Sequence, residues 1–426
     1  MLELHAIRES PERARNALLL RGIRNTQIIN VVLEADVRRR RLLTSAQNLK
    51  AAANRASRAV AELMREGKRN EAEPYVKESA RLKEEIRSVE EDARNSEEQV
   101  RDLLFDIPNI PHDSVPPGLS ADDNVTLHEG GARPTFGFPP LPHWELAAKH
   151  SLIDFDRGSK VSGAGFPFYI GKGARLQRAL INFWLDLATN TGGYTEIQTP
   201  LFVNEASVQG TGQLPDKEGQ MYHIGRDNLY PVPTAEVPLT NFYRGDVIAE
   251  ADLPIKVCGY TPCFRREAGS YGRHVRGLNR LHQFDKVELV QIVRPDRSYE
   301  ALEVLREDAE RAVQSLGLPY RRLLMCAGEM GFNQAKQYDL EVWCAAQGRY
   351  LEVSSVSNFT SFQSNRMRIR YRPVEGGKPQ LVHTLNGSGL ALPRITATIL
   401  ENNQRKDGSI VIPDSLRPYT GFAVIE

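Results

Sequence analysis

Residues Cys263–Gly269 read CFRREAG, within the longer stretch TPCFRREAGSYGRHVRGLNRLHQFDKVEL from Thr261 to Leu289. Two adjacent arginines precede a carboxylate and are flanked by apolar and aromatic residues, where a buried charge is costly without a partner. Strand side chains alternate faces. If residues 256–267 form a strand, Arg265 and Glu267 share one face, and Arg266 points the other way with Phe264. In a second strand, 281–290, His282, Phe284, Lys286 and Glu288 share a face. Paired as a hairpin, the strands present Arg265, Glu267, Phe284 and Glu288 on one surface. A guanidinium fork suits phosphate or carboxylate, and an aromatic plate suits a nucleobase. The loop between them supplies Arg273, Arg276 and Arg280 with glycines for mobility. On spacing alone, the pattern also fits a surface hairpin laced with salt bridges.

The rest of the chain alternates short apolar strands with a few helices. Helices are expected over Ala174–Thr189, Ala301–Leu316 and Arg394–Asn403, and GGYTEIQTP (Gly192–Pro200) reads as a strand stopped by proline. Hairpin-like connections favour a mainly antiparallel sheet in an α+β domain. With 426 residues, two domains are expected. We place an N-terminal domain at 1–106, a linker at 107–124 rich in Pro, Ser and Asp, and a second domain at 125–426.

From about 27 to 104 the sequence is polar and helical. Leu42, Ala46, Leu49, Ala53, Ala56, Val60 and Leu63 form a heptad seam. A second runs through Tyr75, Ser79, Leu82, Ile86, Val89, Ala93, Ser96, Val100 and Leu103. Gly67 and Pro74 punctuate the segment between them, so the expectation is an antiparallel helical hairpin. Residues 38–69 carry ten Lys/Arg against two acids, and residues 70–100 carry five against ten. That asymmetry fits complementary flanks of a coiled coil, and it also fits a basic stripe laid on a phosphate backbone.

Lys plus Arg (55) nearly cancels Asp plus Glu (54), so the net charge of +1 points to no polyanionic partner globally. Four cysteines make no disulfide framework, and Cys258 and Cys263 lack a partner pair at zinc spacing. The N-terminus lacks an apolar signal segment, and no run of 18 apolar residues exists. A reducing cytoplasm is expected, with no membrane or DNA partner.

Several segments together resemble one family. Thr261–Leu289 resembles the second signature motif of class II aminoacyl-tRNA synthetases, and specifically that of the seryl-tRNA synthetases. The helix and strand ending in GGYTEIQTP look like motif one, with Pro200 as its terminal proline. TLNGSGLALPRITATILENNQ (Thr384–Gln404) looks like motif three. PTAEVPLTN (Pro233–Asn241) contains the TAE loop, and LEVSSVSNFTSFQSNRMRIRY (Leu351–Tyr371) is similar to the ExSS segment. The N-terminal hairpin matches the family's tRNA-binding arm. The resemblance implies a class II antiparallel sheet flanked by helices, an N-terminal coiled-coil arm, and a homodimer joined through motif one.

The activity it implies is ATP- and Mg²⁺-dependent formation of seryl-adenylate, then transfer of serine to the 3′ end of tRNA(Ser) and, where one exists, tRNA(Sec). Arg265 would hold the serine carboxylate and the α-phosphate, and Arg394 the γ-phosphate. Glu267 would contact the adenine amino group and Phe284 would stack on the ring. The same resemblance assigns Arg266, Leu281, Val353 and Ser354 to the ATP site, although alternation puts Arg266 on the back face. Glu352 and Ser355 would bind magnesium. Thr234, Ala235, Glu236, Glu288 and Ser388 match the serine-binding positions. Pro393 departs from many relatives, and a proline in a helix's first turn is tolerated.

HIGR (His223–Arg226) lacks the partner motif and fold context of class I synthetases, and neither GSGLALPR nor GKGAR completes a P-loop. His274 and His282 read as loop and strand polar residues. Two rivals are a paralogue that loads a carrier protein and an inactive synthetase-like RNA- or protein-binding module. The long arm argues against the first, and Arg265, Glu352 and Arg394 against the second.

Overall fold

The computed structural model describes residues 1–267 and 276–426. Arg273 and His274, read above as loop residues, lie outside the described residues. The chain divides into two compact units, Leu2–Pro108 and Asn109–Glu426.

In the smaller unit, helices Leu4–Glu9 and Pro11–Leu20 precede two long helices, Ile28–Arg65 and Arg69–Phe105. At 1.5 Å per residue the long pair extends about 56 Å. Ala46, Ala56, Leu82, Ala93 and Val100 are buried along the seam. Lys50–Glu90 (2.6 Å) and Arg39–Glu97 (3.5 Å) pair across it. The turn is shorter than its composition suggests. Gly67 takes φ +75° and the second helix resumes at Arg69, so Pro74 lies inside it, exposed near its start. Tyr75 is 44% exposed, and Ala72 takes the inner position. Buried Asp36 gathers Arg8, Arg39 and Arg40 within 3.7 Å, which occupies half of the run Arg38–Arg41.

The larger unit is built on an eight-stranded sheet. Its strands in chain order are β1 Val125–Gly130, β2 Thr195–Glu196, β3 Ile255–Phe264, β4 Gln283–Val293, β5 Tyr320–Leu324, β6 Lys336–Cys344, β7 Arg349–Thr360 and β8 His383–Ala391. The spatial order is β1-β5-β6-β7-β8-β4-β3-β2. Every neighbouring pair is antiparallel except β2–β3. The expected α+β antiparallel class is therefore observed. Helices Lys172–Asn190, Ser298–Ser315 and Leu392–Asn402 share one apolar cluster with the sheet, through Leu180, Trp184, Leu305, Ala309, Ile395 and Ile399 among others.

Composition marks 107–124 as a linker, yet from Asn109 the chain is fastened to the larger unit. Asn109 Nδ2 donates to Phe359 O (2.8 Å), and the amides of Asn109 and His112 donate to Phe332 O and Ala335 O. Prolines remove donors from this stretch, and side chains within it take up others: Ile110 N–H donates to Asn109 Oδ1, and the amides of Leu119 and Ser120 to Asp123 Oδ2. All four cysteines are buried and unpaired by disulfide. No helix among the described residues is long and apolar enough to cross a membrane.

Candidate active site

Strand β3 ends at Phe264, three residues short of the expected Glu267. Beyond it, only the Arg265 amide continues the ladder, donating to His282 O at 2.9 Å. Glu267 takes φ +47°, so strand alternation no longer decides where it points. The chain turn nevertheless keeps Arg265, Glu267 and Phe284 on one cavity wall. The Arg265 guanidinium lies 5.2 Å over the Phe284 ring, and its Nε donates to Pro233 O. Cys263 faces Phe284 in the β3–β4 register, which sets the ring beneath Arg265.

Two adjoining spaces meet at this arginine. One, of about 540 Å³, is lined by Glu267, Leu278, Asn279, Arg280, Leu281, Phe284, Val353, Ser354 and Arg394. The other, about 1600 Å³ and open to solvent, is lined in part by Thr234, Glu236, Asn386 and Ser355. Arg265, Glu267, Arg280, Lys286, Glu352 and Ser388 line both.

Ion pairs among its own side chains line the first space. Arg280 Nε pairs with Glu267, and Arg394 Nη1 lies 3.5 Å from the Glu352 carboxylate. Arg394 also donates to Glu352 O (2.7 Å) and Asn279 O (3.1 Å). It stands in the first turn of helix Leu392–Asn402, with Pro393 at the position where proline is tolerated.

Glu352 and Ser355 are three residues apart, so a regular strand would turn them to opposite faces. A register shift in the β6–β7 pairing leaves Val353 as an extra residue, and both side chains line one cavity. Behind them Gln337 Nε2 bridges Asp339 (2.7 Å) and Ser355 Oγ (2.9 Å). Burial and the neighbouring Glu352 push the Asp339 carboxyl up. Two hard oxygens on one wall fit Mg²⁺, which keeps several waters and substrate oxygens in its shell.

The second space is floored by a buried polar network. Glu288 accepts from Thr234 Oγ1 (3.0 Å) and Asn386 Nδ2 (2.7 Å) and pairs with Lys286, which also donates to Ser388 Oγ (3.2 Å). Glu236, the first residue of a short helix, accepts from Gln363 Nε2 (2.6 Å) and Asn386 Nδ2 (3.1 Å). Burial first, and Glu288 second, push its carboxyl up to about 7. Asn386 and Gln363 were not anticipated. Asn386 stands two residues before Ser388 on β8, so alternation could have found it; no spacing signal points to Gln363.

Three expected site residues line neither space; one is Glu288, fully buried within the polar network just described. Arg266 is exposed and lines neither space; its amide donates to Gln220 O (2.8 Å). Ala235 is packed among Leu239, Val257 and Val290.

Comparison with known proteins bears on the chain as a whole. A family model described as seryl-tRNA synthetase N-terminal domain covers residues 1–111, and one described as tRNA synthetase class II core domain (G, H, P, S and T) covers 222–403. A serine--tRNA ligase of Salinibacter ruber is 57% identical over 425 residues, spanning 100% of this chain and 99% of the relative. The crystal structure of seryl-tRNA synthetase from Pyrococcus horikoshii complexed with ATP superposes with a TM-score of 0.93 at 33% identity, covering 100% of this chain and 99% of that one. Cytoplasmic serine-tRNA ligase from Naegleria fowleri in complex with AMP gives 0.88 at 27% identity, with the same coverage of both chains. With both domain types in order and full-length likeness on each count, the chain belongs to the seryl-tRNA synthetase family.

Proposed function

We propose that this chain activates L-serine with ATP and transfers it to the 3′ end of tRNA(Ser), acting as a cytoplasmic homodimer. The carrying observation is the place of Arg265, at the junction of a polar buried pocket and an aromatic- and arginine-lined one. A carboxylate held in the first and a triphosphate in the second would meet at this guanidinium. The serine carboxylate oxygen attacks the α-phosphorus, the bond to the β-phosphate oxygen breaks, and pyrophosphate leaves. The terminal ribose hydroxyl of tRNA then attacks the seryl carbonyl and AMP leaves. Charge neutralisation and alignment supply the catalysis.

On the nucleotide side, Phe284 stacks on adenine, Glu267 accepts from its amino group, and Arg394 takes the γ-phosphate in place of Glu352. Glu352 and Ser355 would hold Mg²⁺, which when bound neutralises phosphate charge. On the serine side, Glu236 receives the ammonium and Glu288 the hydroxyl. Alanine would leave these buried groups unpaired, a strong basis for rejection.

For tRNA, the support is the arm. Arg38, Arg41, Arg55, Arg58 and Arg65 form no ion pair among the described residues, whereas Arg39 and Arg40 do. Arg41 and Arg55 are fourteen residues apart and Arg58 and Arg65 seven, so each pair repeats one outward heptad position. Such a stripe suits an RNA backbone, that of tRNA(Ser) and equally of tRNA(Sec). The dimer reading rests on motif one, whose residues Ile181, Leu185, Glu196 and Ile197 line an open hollow together with Tyr169 and Tyr260. Neither a carrier-loading paralogue nor an inactive binding module accounts for the arm and the equipped site together.

The test is amino-acid-dependent pyrophosphate exchange across the twenty amino acids, with tRNA charging alongside. Serine alone should support strong exchange. Removing residues 30–100 should spare exchange and abolish charging. Alanine or glycine exchanging at the serine rate would overturn the specificity, and charging without the arm would overturn its role.

A further inference from the structure

Behind the nucleotide side lies an acid–imidazole pair that the reaction chemistry does not use. His143 and Glu401 are both fully buried. His143 Nδ1 lies 2.7 Å from Glu401 Oε1, and His143 Nε2 accepts the Leu278 N–H at 2.9 Å. An acceptor at Nε2 places the ring proton on Nδ1, so the neutral ring donates to Glu401. Gly277 makes the approach possible: it takes φ +69°, and a Cβ there would sit 2.3 Å from His143 Nε2. Next to His143, the Trp144 ring lies 4.8 Å beneath the Arg276 guanidinium.

The contacts close a circuit. Glu401 Oε2 also accepts from the amides of Ala346 (3.0 Å) and Gln347 (3.2 Å). The Gln347 side chain accepts from Asn279 Nδ2 (2.9 Å), and Asn279 O accepts from Arg394 Nε (3.1 Å). Arg394 and Glu401 stand on one helix, about two turns apart. That helix therefore holds a phosphate-facing arginine at one end and, at the other, the carboxylate that fixes His143. His143 in turn fixes Leu278, within the limb that lines the nucleotide space.

The geometry points to His143 as a positioning residue for ATP: with Glu401 it clamps the limb Arg276–Leu281 and keeps it in register with Arg394. This rests on reading that space as the ATP site. The clamp touches neither Glu236 nor Glu288, so its loss should weaken ATP and leave serine alone.

The test is calorimetric binding of ATP and of serine, together with pyrophosphate exchange and thermal melting. His143→Ala should weaken ATP binding about tenfold, the loss expected for a charge-assisted hydrogen bond, with serine affinity within about twofold. His143→Gln, whose amide can both accept from Leu278 and donate to Glu401, should restore most of the loss. Gly277→Ala presses on the same nitrogen from the loop side and should give the same ATP-selective loss; it decides the matter if His143→Ala does not fold. Unchanged ATP affinity in a folded variant, or equal losses for ATP and serine, overturns the clamp. An unaltered chain that binds ATP but does not exchange overturns the proposed function and leaves the clamp to be judged by its binding data. An unaltered chain that binds no ATP overturns both.

Discussion

The two halves of the cavity solve the same electrostatic problem in opposite ways. On the serine side, Glu288, Lys286, Thr234 and Asn386 are buried and hydrogen-bonded to one another. On the nucleotide side, Arg280 and Glu352 are exposed and the charges pair in exchangeable couples, Arg280 with Glu267 and Arg394 with Glu352. A small zwitterion offers few atoms to grip, so its site must be rigid and already satisfied. A triphosphate carries several charges and can displace a surface pair at small cost, because such pairs contribute little. One half selects, and the other accommodates.

The largest effect should come where the halves meet. Arg265→Ala removes the guanidinium stacked over Phe284 at the junction of the two, and we expect exchange to fall by at least about a thousandfold, on the scale of losing a transition-state donor. A smaller loss would mean the halves act independently. Next, Glu288→Ala breaks the buried pair with Lys286 and should lower unfolding stability by roughly 3–5 kcal/mol, read by denaturant melts. Serine affinity should collapse as well, while ATP affinity is kept. The matching change in the other half, Glu267→Ala, should cost no more than about 1 kcal/mol of stability, because Arg280 is exposed, and it should raise the KM for ATP alone. Equal stability losses in the two variants would erase the contrast.

The subtlest effect is on pH. Burial and Glu288 push the Glu236 carboxyl up to about 7, from an ordinary 4.5. Between those values the folded chain holds a proton that the unfolded chain has released, so this group lowers stability as pH rises through the window. Serine's ammonium favours the ionised carboxylate. The KM for serine should therefore fall as pH rises from 6 to about 7.5 and then level off. Glu236→Gln should bind serine more weakly and flatten that slope; an unchanged slope would place the titrating group elsewhere.

Much of this was legible from residue order. The β3–β4 hairpin follows from alternation, and the arm follows from its heptads, since both periods are set by local backbone geometry. Local rules failed where the backbone departs from its period. Glu352 and Ser355 share a wall only because Val353 is an extra residue in the strand. Glu267 reaches the wall at positive φ, beyond the strand's end. Pro74 reads as a breaker and sits within a helix, because tertiary packing of the hairpin outweighs one missing N–H.

The sequence by itself determined the antiparallel hairpin, the coiled-coil arm and the set of charged and aromatic side chains that share a face, because side-chain periodicity is encoded one residue at a time. Only the tertiary structure decided which charges pair, how deeply Glu236 and Glu288 are buried, and that His143 and Glu401, 258 residues apart, fasten one loop. Pairing and burial depend on distance through space, and a linear order of residues carries no distance between segments that meet only after the sheet has formed.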